Sequence, residues 1–394
     1  MGTDNCFVIA REGCSGGTGT LSLRLIKHIH SLGVHCVYIC CENNDPKTYN
    51  LICAEADVVV CEADKKYHAH FERLKGKYSS FVCLTYSLEE YMAINALRVS
   101  FDSIKRVVYY VVHGYAFSIP PATNISIVKR LMCRVYNCLR YRRLVKTLLR
   151  NQSIIFMDEV SVNETSKALR LEITKSVIHL LPMRINDYDE EVWNTLTRHS
   201  PFTIGTMCRM EFPMKAYVIG LLKRFPLLLQ KYDLKLIIVG DGPDRLRLDK
   251  EIELLPPKIR ERIDYFESVS YTHLDDFYSQ CDLVLGMGTV LLDSANHNVL
   301  SIPVTPYTYD LKVTSLFLEN PDWLCVKGEE HDFEIILDSL LTMPQESFNQ
   351  LVRKQYENVK SLYEINDFTH FLLNTEVGAL SVSLKNSFLY DLLR

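Results

Sequence analysis

Short apolar runs alternate along the chain with stretches whose apolar residues recur every three to four positions. The runs at 5–10 (NCFVIA), 34–41 (VHCVYICC), 56–62 (ADVVVCE), 79–86 (SSFVCLTY) and 106–114 (RVVYYVVHG) predict strands. Runs at 153–159 and 176–183 close the series. None alternates with polar residues, which is the mark of strands covered on both faces, as in a parallel sheet. After the first run, Leu21, Leu25, Ile29 and Leu32 keep helical spacing and Gly33 follows as a C-cap.

The same grammar restarts near Pro201. FTIGTMCR predicts a strand and MKAYVIGLLKRFPLLLQKY a helix that Pro226 should kink or split. LKLIIVGDGP predicts a strand ending in a turn, PDRLRLDKEIELL a helix, IDYFESV a strand and THLDDFYSQC a helix. LVLGMGTVLLDSANHNVLSIPV then reads as strand, glycine turn, helix and strand, with further helices from about 330 on. Two halves of this kind predict an α/β chain of two doubly wound, Rossmann-like domains facing a cleft. The expected bounds are 1–195 and 196–365, with 366–394 a helical segment returning to the first domain.

Composition narrows the class. At 394 residues and 47% hydrophobic, the chain has the makeup of soluble globular domains. No apolar run reaches the ~18 residues of a membrane span, and no basic region precedes the first strand, so a signal peptide is not expected. Thirteen cysteines without zinc-ligand spacing read as reduced thiols of a cytoplasmic protein. A net charge of −4 argues against bulk nucleic-acid binding.

Four places could carry chemistry. GCSGGTGT (13–20) joins the first strand to the first helix, where glycines and helix amides can hold a phosphate; a tight turn without ligand is the alternative. Arg209 follows a strand and Lys215 opens a helix, a fork and a point charge suited to a diphosphate, or simply two solvated cations. The Gly-Asp-Gly-Pro turn at 240–243 needs only a structural explanation. Gly286 and Gly288 precede a helix beginning near Thr289, in which Asp293 could accept hydrogen bonds from a diol or merely complement the helix dipole.

Taken in order, these elements resemble the retaining glycosyltransferases of the GT-B fold, family 4 (glycosyl transferases group 1). The resemblance rests on GCSGGTGT, YYVVHG, IGTMCRMEFPMK, IVGDGP (238–243) and GMGTVLLDSANHNVLSIPV, and covers about 5–305. It implies a transferase taking its sugar from a nucleoside-diphosphate donor, without a metal or other cofactor, for a glycan or lipid-linked acceptor. Gly16 and Gly17 would admit the donor diphosphate, and Arg209 and Lys215 would neutralise it. The Gly288 turn and the amides around Thr289, Val290 and Leu291 would cap it, Asp293 would hold the ribose, and His113 would sit beside the transferred sugar. Two departures mark a divergent member of capsule or surface-polysaccharide type: the first of the family's two spaced glutamates falls on Leu285, and Ser301 replaces a glycine before Ile302-Pro303-Val304.

The stretch 126–152 carries eight Lys and Arg and no acid. Leu131, Val135, Leu139, Val145 and Leu149 keep roughly helical spacing. This is the pattern of a helix lying on an anionic membrane, each cation contributing ~1 kcal/mol near the lipid, or of a core-facing helix with a charged outer side. In the resembling family this region can dock on the inner face of the membrane. Asp187-Tyr-Asp189 and His68-Ala-His70 read as solvated surface rather than metal sites. Two other readings stay open: a non-catalytic partner subunit of the same fold, suggested by Leu285, and a nucleotide-dependent oxidoreductase using Gly17–Gly19 with Glu42 on the ribose.

Overall fold

The computed structural model describes residues 5–14, 16–62, 67–114, 116–117, 126–267, 269, 273–322, 324 and 330–374. Two compact units divide them: the residues up to Pro182 with those from Ile365 on, and Met183–Glu364.

The first unit runs β1 (Asn5–Arg11), α1 (Gly16–Ser31), β2 (His35–Cys40), α2 (Pro46–Glu55), β3 (Val58–Cys61), α3 (Tyr67–Lys75), β4 (Ser80–Thr85), α4 (Leu88–Leu97), β5 (Ile104–Val111), α5 (Ile127–Arg150), β6 (Ile154–Phe156) and α6 (Glu159–Leu169). The strands form one parallel sheet in the order β3-β2-β1-β4-β5-β6. Cys6 to Ala10 are all buried because helices cover both faces of β1, which is why the sequence showed no alternation there. Helix starts are fixed locally. Asp45 caps α2 with Pro46 in its first turn, and Ser87 and Glu90 form a reciprocal capping box on α4.

The run 176–183, expected as a strand, is instead a 3-10 turn at Lys175–Val177, with one bridge to the sheet, from Ile178 to Phe156, and another from Met183 to Glu364. Arg106, 7% exposed, closes this unit from β5. Its guanidinium donates to the carbonyls of Phe371, Leu372 and Asn374 at the carboxyl end of α15 (Ile365–Leu373) and lies 4.3 Å from the Phe371 ring centre. A cation there complements the helix dipole.

The second unit runs α7 (Glu190–Thr195), β7 (Phe202–Met207), α8 (Tyr217–Leu228), β8 (Leu234–Val239), α9 (Arg245–Glu253), α10 (Pro257–Arg260), β9 (Ile263–Phe266), α11 (Leu274–Tyr278), β10 (Leu283–Gly286), α12 (Thr289–Asn296), β11 (Leu300–Pro303), α13 (Phe333–Thr342) and α14 (Gln345–Tyr363). Its parallel sheet has the order β9-β8-β7-β10-β11. Pro226 does not split α8, which runs on through it to Leu228. Ser301 is fully buried on β11, and its amide and hydroxyl lie 3.0 and 3.2 Å from Gln355 Oε1 on α14. The Gln355 amide donates to Val299 O at 2.7 Å, so every polar group of the Ser301 side chain is partnered.

Candidate active site

In a doubly wound sheet, ligands bind beyond the carboxyl ends of the strands, where the strand order reverses. In the second unit that point lies between β7 and β10, which pair through Ile204–Leu283 and Gly205–Val284. The chain leaving β7 passes through Arg209 and Lys215 into α8, and the chain leaving β10 passes through Gly288 into α12. Topology therefore brings the two cations and the α12 amides to the same end of one sheet.

The segment after β7 is fixed from below by the Gly-Asp-Gly-Pro turn. A Cβ on Gly240 would lie 1.9 Å from the Cys208 carbonyl oxygen, and one on Gly242 would lie 2.5 Å from that of Met210. Met210 N donates to Asp241 O at 2.9 Å, Asp244 N to Met210 O at 3.0 Å, and Phe212 N to Asp244 Oδ2 at 2.6 Å. Arg209 sits within this clamped stretch with its side chain 60% exposed, and its Nε lies 3.8 Å from Glu211. Lys215 is half-buried two residues before α8. Asp244 was not singled out in the sequence; its place directly after Gly-Pro, at the head of a helix, was the available signal.

Gly288 caps α12 at φ +70°, a conformation costly for other residues. Its own amide donates to Leu324 O at 2.6 Å, and the Leu291 amide to Gly288 O at 3.2 Å. Those two are already committed, so among the described residues Thr289 and Val290 carry the first-turn amides without a recorded acceptor. Asp293 begins the second turn and is 8% exposed, below the surface. His297 ties the far end of α12 down. Its Nδ1 is 2.6 Å from Asp293 O, its Nε2 is 2.7 Å from Asp275, and its ring stacks on Tyr278 at 4.6 Å. Leu285 is fully buried in β10 opposite Ile302, so the position expected to hold a sugar-contacting glutamate belongs to the hydrophobic core.

In the first unit the order reverses between β1 and β4, and the loop after β1 leads into α1. Gly16 opens that helix at φ +76°, and Cβ atoms on Gly16 or Gly17 would meet nothing within 4 Å. Gly19 is different: its Cβ would lie 1.8 Å from the Cys14 carbonyl oxygen. The loop is held from the β2 side, where Tyr38 OH donates to Gly13 O at 3.0 Å and Cys14 N donates to Asn44 Oδ1 at 2.8 Å. Glu42, just past β2, is exposed and accepts from Asn44 Nδ2 at 3.0 Å. His113 is exposed two residues beyond β5.

Two motifs read as surface are tied into the fold. His70 is 2% exposed, with Nδ1 2.6 Å from Arg73 Nη2 and Nε2 3.7 Å from Glu62, and burial holds its pKa down. It lies on the inner side of α3, which corrects the surface reading for His70, while His68 and Ala69 are exposed. Asp187 pairs with Lys360 at 2.6 Å, and Asp189 caps α7 through Val192 N. Among the described residues no three metal-binding side chains cluster, and no helix is long and apolar enough to cross a membrane.

On α5 the core-facing alternative holds only for the last turns. Val128, Leu131, Met132, Val135, Tyr136 and Leu139 are 50–78% exposed, at the spacing of one helix face. Val145 and Leu148 are buried at 0 and 3%. The apolar stripe thus faces solvent over the first part of the helix and the core only over the last turns.

Residues 197–292 match the family model of glycosyl transferases group 1. The matched segment contains Arg209, Lys215, the Gly240–Pro243 turn and the start of α12. No match to the chain was found among curated protein sequences. Among solved structures, the chain is similar to HepE of Anabaena in complex with UDP and glucose, at 13% identity over 93% of this chain and 98% of that one, with a TM-score of 0.61. A glycosyltransferase from Rickettsia africae aligns over 96% of this chain and 100% of its own at 12% identity, TM-score 0.62. An alpha-glucosyltransferase solved with UDP-glucose and DNA containing an abasic site aligns over 93% and 98% at 12% identity, TM-score 0.55. The two Rossmann-like domains are those of the GT-B fold.

Proposed function

We propose that the protein is a glycosyltransferase that moves a sugar from a nucleoside-diphosphate donor to a glycan or lipid-linked acceptor, with retention, in surface-polysaccharide synthesis. The observation that carries this reading is the convergence of Arg209, Lys215 and the α12 amides on one switch point, within the segment that matches the family model. HepE and the alpha-glucosyltransferase were solved with UDP or UDP-glucose, which favours a nucleotide-sugar donor.

Glycosyl transfer separates charge: the sugar becomes cationic as the diphosphate gains negative charge. Arg209 and Lys215 stabilise that leaving group by charge, and the Thr289 and Val290 amides by fixed dipoles. These groups take the part a divalent metal plays elsewhere, so the reaction needs neither metal nor cofactor. Gly16 and Gly17 leave room for the donor, His113 lies beside the sugar, and Asp293 receives the ribose once the donor seats. The chain acts in the cytoplasm at the inner membrane face, where the exposed stripe and cations of α5 meet anionic lipid.

The test is thermal shift and donor turnover with UDP-, GDP- and dTDP-sugars, in wild type and in Arg209→Ala/Lys215→Ala. The expected result is a shift with one nucleotide class and a loss of turnover of about 100-fold or more in the double variant. No shift with any donor overturns the reading. Buried Leu285 favours one second reading, a non-catalytic partner subunit; binding without turnover in the presence of acceptors supports it.

A further inference from the structure

The thiols of the first unit are not equivalent. Cys6, Cys36 and Cys83 are buried in strands, and burial pushes their pKa values up, that of Cys36 to about 12. Cys14 lies instead in the loop between β1 and α1, with its sulfur 3.8 Å from that of Cys40 at the end of β2. The neighbouring Cys40 thiol lowers the Cys14 pKa against the opposing effect of burial, with Tyr38 and the Arg11 charge adding to it. The same contact raises the pKa of Cys40. The Arg11 charge acts on the Cys14 side of the pair, so Cys14 is the sulfur that ionises more readily.

We infer that Cys14 and Cys40 form an oxidisable pair that closes to a reversible disulfide on reaction with a hydroperoxide. The Cys14 thiolate attacks the peroxide, an S–O bond forms, the O–O bond breaks, and an alkoxide or hydroxide leaves and takes a proton from solvent to become the alcohol or water. Cys40 sulfur then attacks the Cys14 sulfenic acid; the S–S bond forms, the S–O bond breaks, and hydroxide departs with the Cys40 proton as water. Sulfur is oxidised by two electrons and the peroxide is reduced by two.

The geometry suits the step. A disulfide needs sulfurs about 2.05 Å apart, so the pair must close by less than the present separation of 3.8 Å. Cys14 can supply that movement because it lies past the end of the β1–β2 pairing: Glu12 O is the last backbone acceptor, from Cys41 N and Glu42 N, and beyond it Tyr38 and Asn44 hold the segment by side-chain hydrogen bonds. Local opening of such a loop is easier than opening a strand and gives a small oxidant access to a sulfur that is buried in the closed form. The Cys14 carbonyl also seats the bare Cα of Gly19, so closure pulls on the first turn of α1. Cys40 has a rival partner in Cys61, its exposed neighbour in register on β3. Cys61 sits within a strand, so the loop sulfur is the one free to move.

The experiment is peptide mapping by mass spectrometry of the full-length protein after stoichiometric hydrogen peroxide, with circular dichroism showing that the fold persists. A Cys14–Cys40 linked peptide that disappears with dithiothreitol is expected. In Cys40→Ser the expected product is a Cys14 sulfenic acid trapped by dimedone. A Cys40–Cys61 link, or oxidation confined to exposed Cys53 and Cys61 with Cys14 unmodified, overturns the inference. Mapping the wild type decides the matter even if a variant fails to fold, and its outcome is independent of the transfer reaction.

Discussion

The two switch points use the same topology and equip it differently. In the first unit the loop after β1 is latched by Tyr38 of β2 and Asn44 beyond it, and its neighbours are thiols and the cation Arg11 at the end of β1. In the second the segment after β7 is latched by the backbone and carboxylate of the Gly240–Asp244 turn and leads to two cations. The cations differ in kind as well. Arg106 of the first unit is 7% exposed and committed to the end of α15, whereas the Arg209 side chain of the second is 60% exposed at the crevice. Arg106 is buried and spends one nitrogen, Nη1, on three carbonyls, whereas the Arg209 side chain stands open to solvent beside Glu211.

Introducing a carboxylate at position 285 is the severest way to break the contrast. Leu285→Glu places an unpaired carboxylate at a fully buried strand position. It should cost about 3–5 kcal/mol, seen as a drop in the urea midpoint. An unchanged midpoint would mean that position 285 opens to the crevice after all.

The glycines come next. Gly19→Ala and Gly240→Ala each drive a Cβ to within 2 Å of a carbonyl oxygen, 1.8 and 1.9 Å respectively. Each should lose roughly 1–3 kcal/mol or more in chemical denaturation. Gly17→Ala meets nothing within 4 Å and should hold or raise stability. Equal losses at all three would remove the distinction between glycines that seat the loop and one that only leaves it open.

Gln355→Ala tests the compensation for Ser301. It removes the acceptor for the Ser301 amide and hydroxyl and the donor to Val299 O, and should cost about 1–3 kcal/mol. Ser301→Gly in the same background should then cost little more, because the two side chains share one interaction.

The smallest effect is a pH dependence within the first unit. Burial, with the Arg106 charge second, lowers the His179 pKa to about 4. The unfolded imidazole takes up its proton near 6.5 and the folded one only near 4, so stability should fall as pH drops between those values and level off below. His179→Asn should flatten that slope in urea titrations at pH 7, 5 and 4, and Arg106→Lys should leave most of it, since burial is the larger cause.

Much of this was legible in the chain. The βα alternation, the restart near Pro201 and the glycine loops all follow from local rules, because unbroken apolar runs mark strands covered on both faces. Arg209, Lys215 and the Gly286–Asp293 stretch were legible as candidates because charge after a strand and glycine before a helix are visible without coordinates. The errors have a common source. The run 176–183 is apolar enough for a strand, yet it makes only one bridge to the sheet. His70 carries a polar side chain, yet its place on α3 turns it inward. The apolar positions of α5 fixed a helix with a stripe, but not which way the stripe faces.

The sequence by itself determined the elements, their order and the chemistry available at each junction. Periodicity, caps and turn residues act over a few positions, so they can be read along the chain. Only the tertiary structure decided which of those groups share a strand end, that Leu285 lies in the core, that Gly240 and Gly242 seat the Arg209 segment, and that Cys14 faces Cys40. Each of these depends on residues tens of positions apart meeting in space, and neither spacing nor composition carries that information.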